Sequence, residues 1–238
     1  MLSGPSPVNN LSVEQLLERF SSGSTRQRLS LIKPVEERAE ELAALGSAAL
    51  ASFDPEGDNW AAGWILQVFQ RHQPQALTSL LSSDSSGWFA TPSAVGIDYG
   101  ALQRDLLEER LEEADRFTSA TLRKLAGPGA EQRGYVYFSE VAAIDGLDLV
   151  TLDRLWTAYS QGRFGFTAQA RLLNALDGRY HSLWPRIGWK QEANWTRYPG
   201  SFTWSLLAPE GHMPLINQLR GVRLMDAVLN HPSLVARR

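Results

Sequence analysis

DLVTLDRLWTAYSQGRFGFTAQARLLNALDG, residues 148–178, decides the fold class. Leu149, Leu152, Trp156 and Tyr159 recur at helical spacing behind Asp148, whose carboxylate suits the capping position. Gly162-Arg-Phe-Gly165 interrupts the period, and Thr167 opens a second helix with Leu172, Leu173 and Leu176 inward. Asp177-Gly178 then ends it. The two glycines of the connection lack the spacing of a phosphate-cradling loop, so the segment reads as a turn between two packed helices.

The same period extends in both directions. Ser12 and Gln15 form a capping box ahead of Val13, Leu16, Leu17 and Phe20. A short helix over residues 25–33 is expected to stop near Pro34, and the next carries Val35, Ala39, Leu42, Ala49, Leu50 and Phe53 inward. Asp58 is placed to cap a helix with Trp60, Trp64, Ile65 and Val68, followed by a last turn with Leu77, Leu80 and Leu81. Residues 82–96 are rich in Ser, Gly and Pro, which divides the chain into a helical bundle (1–83), a linker (84–96) and a second domain (97–238). In that domain Tyr99, Leu102 and Leu106 mark one helix, and Leu111, Ala114, Thr118, Leu122 and Leu125 mark another that ends at Gly127-Pro128. Tyr135-Val-Tyr-Phe138 resembles a strand locally but has no partner and is expected to lead into a helical turn. A final helix is expected over residues 219–230. The fold class is all-α.

Composition narrows the chemistry. The 238 residues include no cysteine, which excludes disulfides, thiolate nucleophiles and zinc–thiolate or iron–sulfur sites. No apolar run is long enough to span a bilayer, and residues 1–10 carry no recognisable leader, so a cytoplasmic protein is expected, at most peripheral to a membrane. Residues 1–177 hold 15 basic and 23 acidic side chains, a net of −8, whereas residues 178–238 hold 8 and 3, a net of +5. The C-terminal quarter therefore favours anions, although +5 over 61 residues falls short of a nucleic-acid footprint. His72, His181, His212 and His231 are scattered without ligand spacing, and Asp145, Asp148 and Asp153 are expected to cap helices or face water. Glu108, Glu109, Glu112, Glu113 and Asp115, interleaved with Arg110 and Arg116, read as a solvated helix face. No catalytic residue and no metal site is expected.

Four of the eight tryptophans, Trp184, Trp189, Trp195 and Trp204, fall within 21 residues in a Pro- and Gly-punctuated stretch that follows neither helix nor strand period. Large aromatics on an irregular segment either fold back onto the helices or build an apolar ligand site. Arg220 and Arg223, three apart in the following helix, add two guanidinium groups. Apolar planes plus arginines suit a flat hydrophobic ligand with acidic tails. The competing reading is a helical adaptor whose aromatic loop holds no small ligand.

Asp98-Tyr99, the helix from Glu113-Ala-Asp115 to Leu125, residues 148–156, Gly162-Arg-Phe-Gly-Phe-Thr-Ala-Gln169, Phe202-Thr-Trp204 and Gly211-His-Met-Pro214 together resemble the genomes-uncoupled family of tetrapyrrole-binding regulators of chlorophyll synthesis, in its prokaryotic, cyanobacterial form. The resemblance spans about residues 97–230. It implies a small helical core whose long loop forms an open hand around protoporphyrin IX or Mg-protoporphyrin IX, with no intrinsic cofactor. It further implies stimulation of magnesium chelatase through the enzyme's large porphyrin-binding subunit, by a monomer. Carried over by position, Phe138 and Val141 would form the floor, Arg197, Tyr198, Phe202 and Trp204 would come from the loop, and Asn217, Arg220 and Arg223 would supply polar contacts. His212, the histidine of the aromatic loop, is expected to have little influence on either porphyrin.

Overall fold

The computed structural model describes residues 11–81, 87–216 and 222–238. Helices α1 (Val13–Ser22), α2 (Thr25–Glu37), α3 (Ala39–Ala44), α4 (Trp60–His72) and α5 (Pro74–Leu80) form the N-terminal part. Helices α6 (Gly100–Leu107), α7 (Leu111–Ala126), α8 (Pro128–Arg133), α9 (Gly146–Ala158), α10 (Phe166–Ala175) and α11 (Tyr180–Arg186) follow. A two-stranded hairpin, β1 (Lys190–Gln191) and β2 (Asn194–Trp195), precedes the long loop, and α12 (Val222–Leu229) and α13 (Pro232–Val235) close the chain. The molecule is mostly helical, as the period predicts.

Helix α4 explains how the two halves meet. Every residue from Trp60 to Phe69 is buried, because α1, α2 and α3 cover one side and α6 and α9 the other. Gly63 lets α4 and α9 touch backbone to backbone, since a Cβ there would stand 2.0 Å from the Ala158 carbonyl oxygen. Gln67 Nε2 donates to the carbonyls of Leu106 at 3.1 Å and Tyr159 at 3.0 Å, so the one long polar side chain inside this seam is bonded on both flanks. Arg154 reaches from α9 to the carbonyls of Pro55 and Gly57, and Arg237 bridges Asp58 and Asp153.

Several local expectations are corrected. Helix α2 continues through Pro34 to Glu37: the proline forfeits the bond to Ser30, which is solvent-exposed, while Leu31 and Val35 on either side bury against α4. Asn59, not Asp58, caps α4 by accepting from the Ala61 amide, which frees Asp58 for Arg237. Asp145 caps α9, and Asp148 is a buried acceptor for Ser93 Oγ, the Ala94 amide and the Tyr99 hydroxyl. That carboxylate and burial hold the Tyr99 phenol protonated. Asp153 is also buried and takes both the amide and hydroxyl of Thr167, thereby capping α10 from a neighbouring helix. Capping thus holds for Asp145 locally and for Asp153 across space, whereas Asp148 ties separate segments together in the core. Residues 87–96 of the expected linker are fastened too, with Gln103 bonding the amide and the carbonyl of Phe89.

Candidate functional site

Trp156 supplies the rigid base under the C-terminal half. It is wholly buried on α9, and its Nε1 donates to Thr118 Oγ1 on α7 at 2.9 Å. The strand-like residues before Phe138 enter a 3₁₀ turn over Phe138–Ala143, as expected, and Arg133 grips Glu140 with two 2.7 Å contacts to hold it. α12 packs on this turn. Between α7, residues 134–144, the end of the hairpin with its following loop, and α12 lies a cavity of about 550 Å³. Leu122, Val136, Val141, Ile144, Leu215 and Val228 make most of its wall apolar; Arg116, Ser119, Arg123, Trp195, Arg197 and Tyr198 carry the polar and aromatic edges.

The carried-over residues that the structure describes divide into three groups. Val141, Arg197 and Tyr198 line the cavity. Phe138 and Arg223 pair beside it, with the guanidinium 5.5 Å from the ring centre and both side chains exposed. Phe202 and Trp204 stack on one another at 5.5 Å, and Phe202 lies 4.6 Å from the His212 ring, so they build the loop's own interior instead of the cavity wall. Asn217 and Arg220 lie outside the described residues. Arg116, Ser119, Leu122 and Arg123 of α7 and Ile144 were not among the expected site residues, whereas Trp195 was flagged only as one of the clustered tryptophans. The α7 signal was present as Arg116, Ser119 and Arg123 at i, i+3 and i+7, one helical stripe. Arg116 does pair with Glu112, the expected solvated ion pair, yet the stripe also faces the cavity.

The loop folds back through two buried polar groups. His212 is 2% exposed; its Nδ1 bonds the Ile187 carbonyl at 2.7 Å and its Nε2 accepts from the Thr203 amide at 3.3 Å. This arrangement fixes the neutral imidazole with the proton on Nδ1, and burial lowers its pKa. The neighbouring Gly211 has φ +76°, and a Cβ would meet Leu172 at 2.8 Å, which accounts for glycine in the Gly211-His-Met-Pro214 motif. Trp189 Nε1 donates to the His212 carbonyl at 2.7 Å, and Trp189 stacks on Trp184. His212 therefore fastens the loop.

Asp115 is the second fastener. Its buried carboxylate accepts from the Leu215 amide at 2.6 Å, with the Tyr198 hydroxyl beside it, so α7 holds both ends of the loop that overhangs the cavity. Oδ2 has no hydrogen-bond partner of normal geometry among the described residues. Burial pushes this carboxyl up to about 7, against the lowering effects of Leu215 and Tyr198. The same environment raises the Tyr198 phenol.

A second cleft, about 700 Å³, opens between Arg28, Asn59, Trp60, Thr157 and Arg171. Two of its charged pairs are internally matched, Asp58 with Arg237 and Arg171 with Glu210, while Arg28 donates to the neutral Asn59 side chain and the Ser21 carbonyl. The first cavity differs in combining apolar walls with arginines.

The family model described as GUN4-like matches residues 92–232, which include every described lining residue of that cavity. The chain belongs to the GUN4-like family. A Ycf53-like protein of Synechocystis sp. is 40% identical over 223 residues, 93% of this chain and 96% of that protein, so this relative matches the N-terminal part as well. The chloroplastic tetrapyrrole-binding protein of Arabidopsis thaliana is 33% identical over 144 residues, 57% of this chain and 54% of its own length. Among solved structures, GUN4 from Chlamydomonas reinhardtii is similar with a TM-score of 0.58 at 38% identity, covering 61% of this chain and 93% of that one. Ligand-free Arabidopsis GUN4 gives 0.53 at 34%, covering 60% and 99%. No helix among the described residues is long and apolar enough to cross a membrane.

Proposed function

We propose that this GUN4-like protein binds protoporphyrin IX and Mg-protoporphyrin IX in the cavity beside α7 and α12. In that loaded form it stimulates magnesium chelatase through the enzyme's large porphyrin-binding subunit, catalysing no reaction itself. The observation that carries the reading is the apolar cavity of about 550 Å³ with arginines at its edge, a size within the usual ligand range. The likeness to the tetrapyrrole-binding protein of Arabidopsis adds support.

Covering about 300 Å² of one porphyrin face at ~25 cal/mol per Å² contributes about 7 kcal/mol. Association and loop ordering oppose this, and charge-assisted contacts add to it. The balance falls near micromolar affinity, order of magnitude only, loose enough to pass a ligand to a partner. Val141, Ile144 and Leu122 supply the dry surface, Trp195 and Tyr198 the aromatic edge, and Arg197 a cation for a carboxylate. His212 has both ring nitrogens engaged within the loop, so it is not free to serve as a ligand to a bound magnesium porphyrin. Phe138 of the expected floor, Phe202 and Trp204 of the expected loop and Arg223 of the expected polar contacts act around the cavity: the first and last at its margin, the middle two by shaping the loop.

Titration of each porphyrin into the full chain, followed by its visible absorption, is expected to shift the Soret band with saturation at equimolar ligand. Adding the loaded protein to a chelatase assay is expected to raise the rate of magnesium insertion. An unmoved Soret band at tens of micromolar protein contradicts the binding; binding without any rate change contradicts the regulatory part alone.

A further inference from the structure

We infer that the polar cleft at the junction of the N-terminal helices with α9 and α10 is a second ligand site, taking a small polar molecule that carries one anionic group, a phosphate or a carboxylate. It shares no lining residue with the cavity beside α7 and α12 and does not depend on the porphyrin reading above.

The cleft, about 700 Å³, is assembled from parts far apart in the chain: Arg28 from α2, Asn59 and Trp60 from the start of α4, Thr157 from α9 and Arg171 from α10. The Gly162-Arg-Phe-Gly165 turn, unused by the porphyrin cavity, finds its place here. Gln161 and Gly162 take φ of +56° and +71°, and a Cβ on Gly162 would stand 3.6 Å from Trp60 Cδ1, so the chain turns tightly against the indole and both residues line the cleft.

The carboxylates of the cleft are already satisfied, Asp58 by Arg237 and Glu210 by Arg171. Arg28 is the cation left over. It is half-buried, donates to two neutral acceptors, Asn59 Oδ1 at 2.8 Å and the Ser21 carbonyl, and lies 5.8 Å from the Trp60 ring centre. Two of its five N–H donors are thus used, and the other three, that on Nε included, have no partner among the described residues. No acidic side chain acts on its charge; burial alone shifts its pKa, downward. Tying α1 to the start of α4 accounts for the two bonds and for a long side chain, yet that role needs no charge. A guanidinium drawn partly out of water without a counter-ion is costly, and an incoming anion supplies charge-assisted bonds that offset the cost.

Neutral groups complete the site. The Thr157 hydroxyl is buried without a partner among the described residues, and the Thr25 and Gln161 side chains make no hydrogen bond to any of them. They suit the hydroxyls of a polar body. Asp58 and Glu210 repel a second acidic group, and the mixed lining offers a flat apolar ligand little to cover. One anionic group on a hydroxylated body is the chemistry that matches, in a volume within the usual range for small-molecule sites. A ligand held there touches α2 and α4 on one side and α9 and α10 on the other, fastening the N-terminal part to the core.

The test follows the tryptophan indole resonances of the full chain by NMR, with that of Trp60 identified through Trp60→Phe. The chain is titrated with glycerol phosphate, glycerate and glycerol at constant ionic strength. One or both of the anions should move the Trp60 resonance with a Kd of about millimolar or tighter, while glycerol leaves it in place and the resonance of Trp195, in the other cavity, stays still. A response to one anion alone assigns the acid group. Arg28→Gln should weaken binding about tenfold or more, with Arg28→Lys in between and the protoporphyrin titration unchanged in both. If Arg28→Gln fails to fold, Arg28→Lys and the unaltered chain still decide. A Trp60 resonance that neither anion moves at tens of millimolar, or that glycerol moves equally, overturns the site; equal binding by Arg28→Gln overturns the part assigned to its charge.

Discussion

Around Gly63 and Ala158 two helices touch backbone to backbone, with Gln67 bonded to the carbonyls of Leu106 and Tyr159 on either flank; around the cavity, a loop is held to α7 and α11 by one buried acid and one buried imidazole. The first region is dense, apolar and pH-silent. The second depends on two titratable groups tuned in opposite directions. A core tolerates substitution according to volume, whereas a loop fastened by such groups responds to their protonation, and the ligand cavity has been built where the second kind of order prevails.

Truncation gives the largest effect and separates the regions. A fragment starting at Pro92 loses α4 and exposes the faces of α6 and α9 that it covers, so its denaturation midpoint should drop further than that of any point variant described here. We propose that it still folds, in keeping with the division at residues 84–96. It should also retain porphyrin affinity, since no cavity-lining residue precedes Arg116. Chemical denaturation and a Soret titration on the same sample check both halves; a folded fragment without affinity would make the N-terminal part a contributor to the cavity.

Trp156→Ala comes next. It removes a wholly buried indole and leaves Thr118 Oγ1 without its donor, at a cost of about 3–5 kcal/mol by urea denaturation. His212→Ala should cost less, about 1–3 kcal/mol, through the loss of its bonds to Ile187 and Thr203. Because it loosens the loop and not a metal contact, affinity for free and magnesium porphyrin should fall together. A selective loss of the magnesium complex would instead show a direct or water-mediated axial role.

Much of this was legible in the sequence and some was not, for physical reasons. Helices such as α7, α9 and α10 announce themselves because burial of one face imposes the 3.6-residue period. Caps donated across space left no local sign: Asp153 caps α10 from α9, and Asp148 holds a segment some fifty positions away. Phe202 and Trp204 were visible as aromatics, but whether an aromatic faces a cavity or a neighbouring ring depends on the course of an aperiodic loop. Arg123 was masked by the ordinary expectation that charged residues on a helix face water.

The smallest effect concerns pH. Asp115 titrates in the native protein near 7, above its unfolded value, so the folded state binds more protons between about 4 and 7; stability declines across that window and the penalty is complete above it. His212, lowered on folding, contributes stability present above about 6.5 and lost as pH falls. Glu112 and Arg116 are the charged neighbours of the Asp115–Tyr198 contact. Asp115→Asn keeps an acceptor for Leu215 and cannot ionise, so it should remove the decline on raising pH from about 4 to 7 while sparing the loss on acidification that His212 causes. Urea denaturation at a series of pH values follows this; an unchanged decline toward pH 7 would mean that Asp115 is not the group titrating.

Hydrogen–deuterium exchange with and without saturating protoporphyrin tests the location of the site most directly. The account predicts new protection confined to α7 near Ser119–Arg123, residues 134–144, residues 195–198 and the segment from Leu215 into α12. Protection at the polar cleft around Arg28, Thr157 and Arg171, or none at α7, would contradict it.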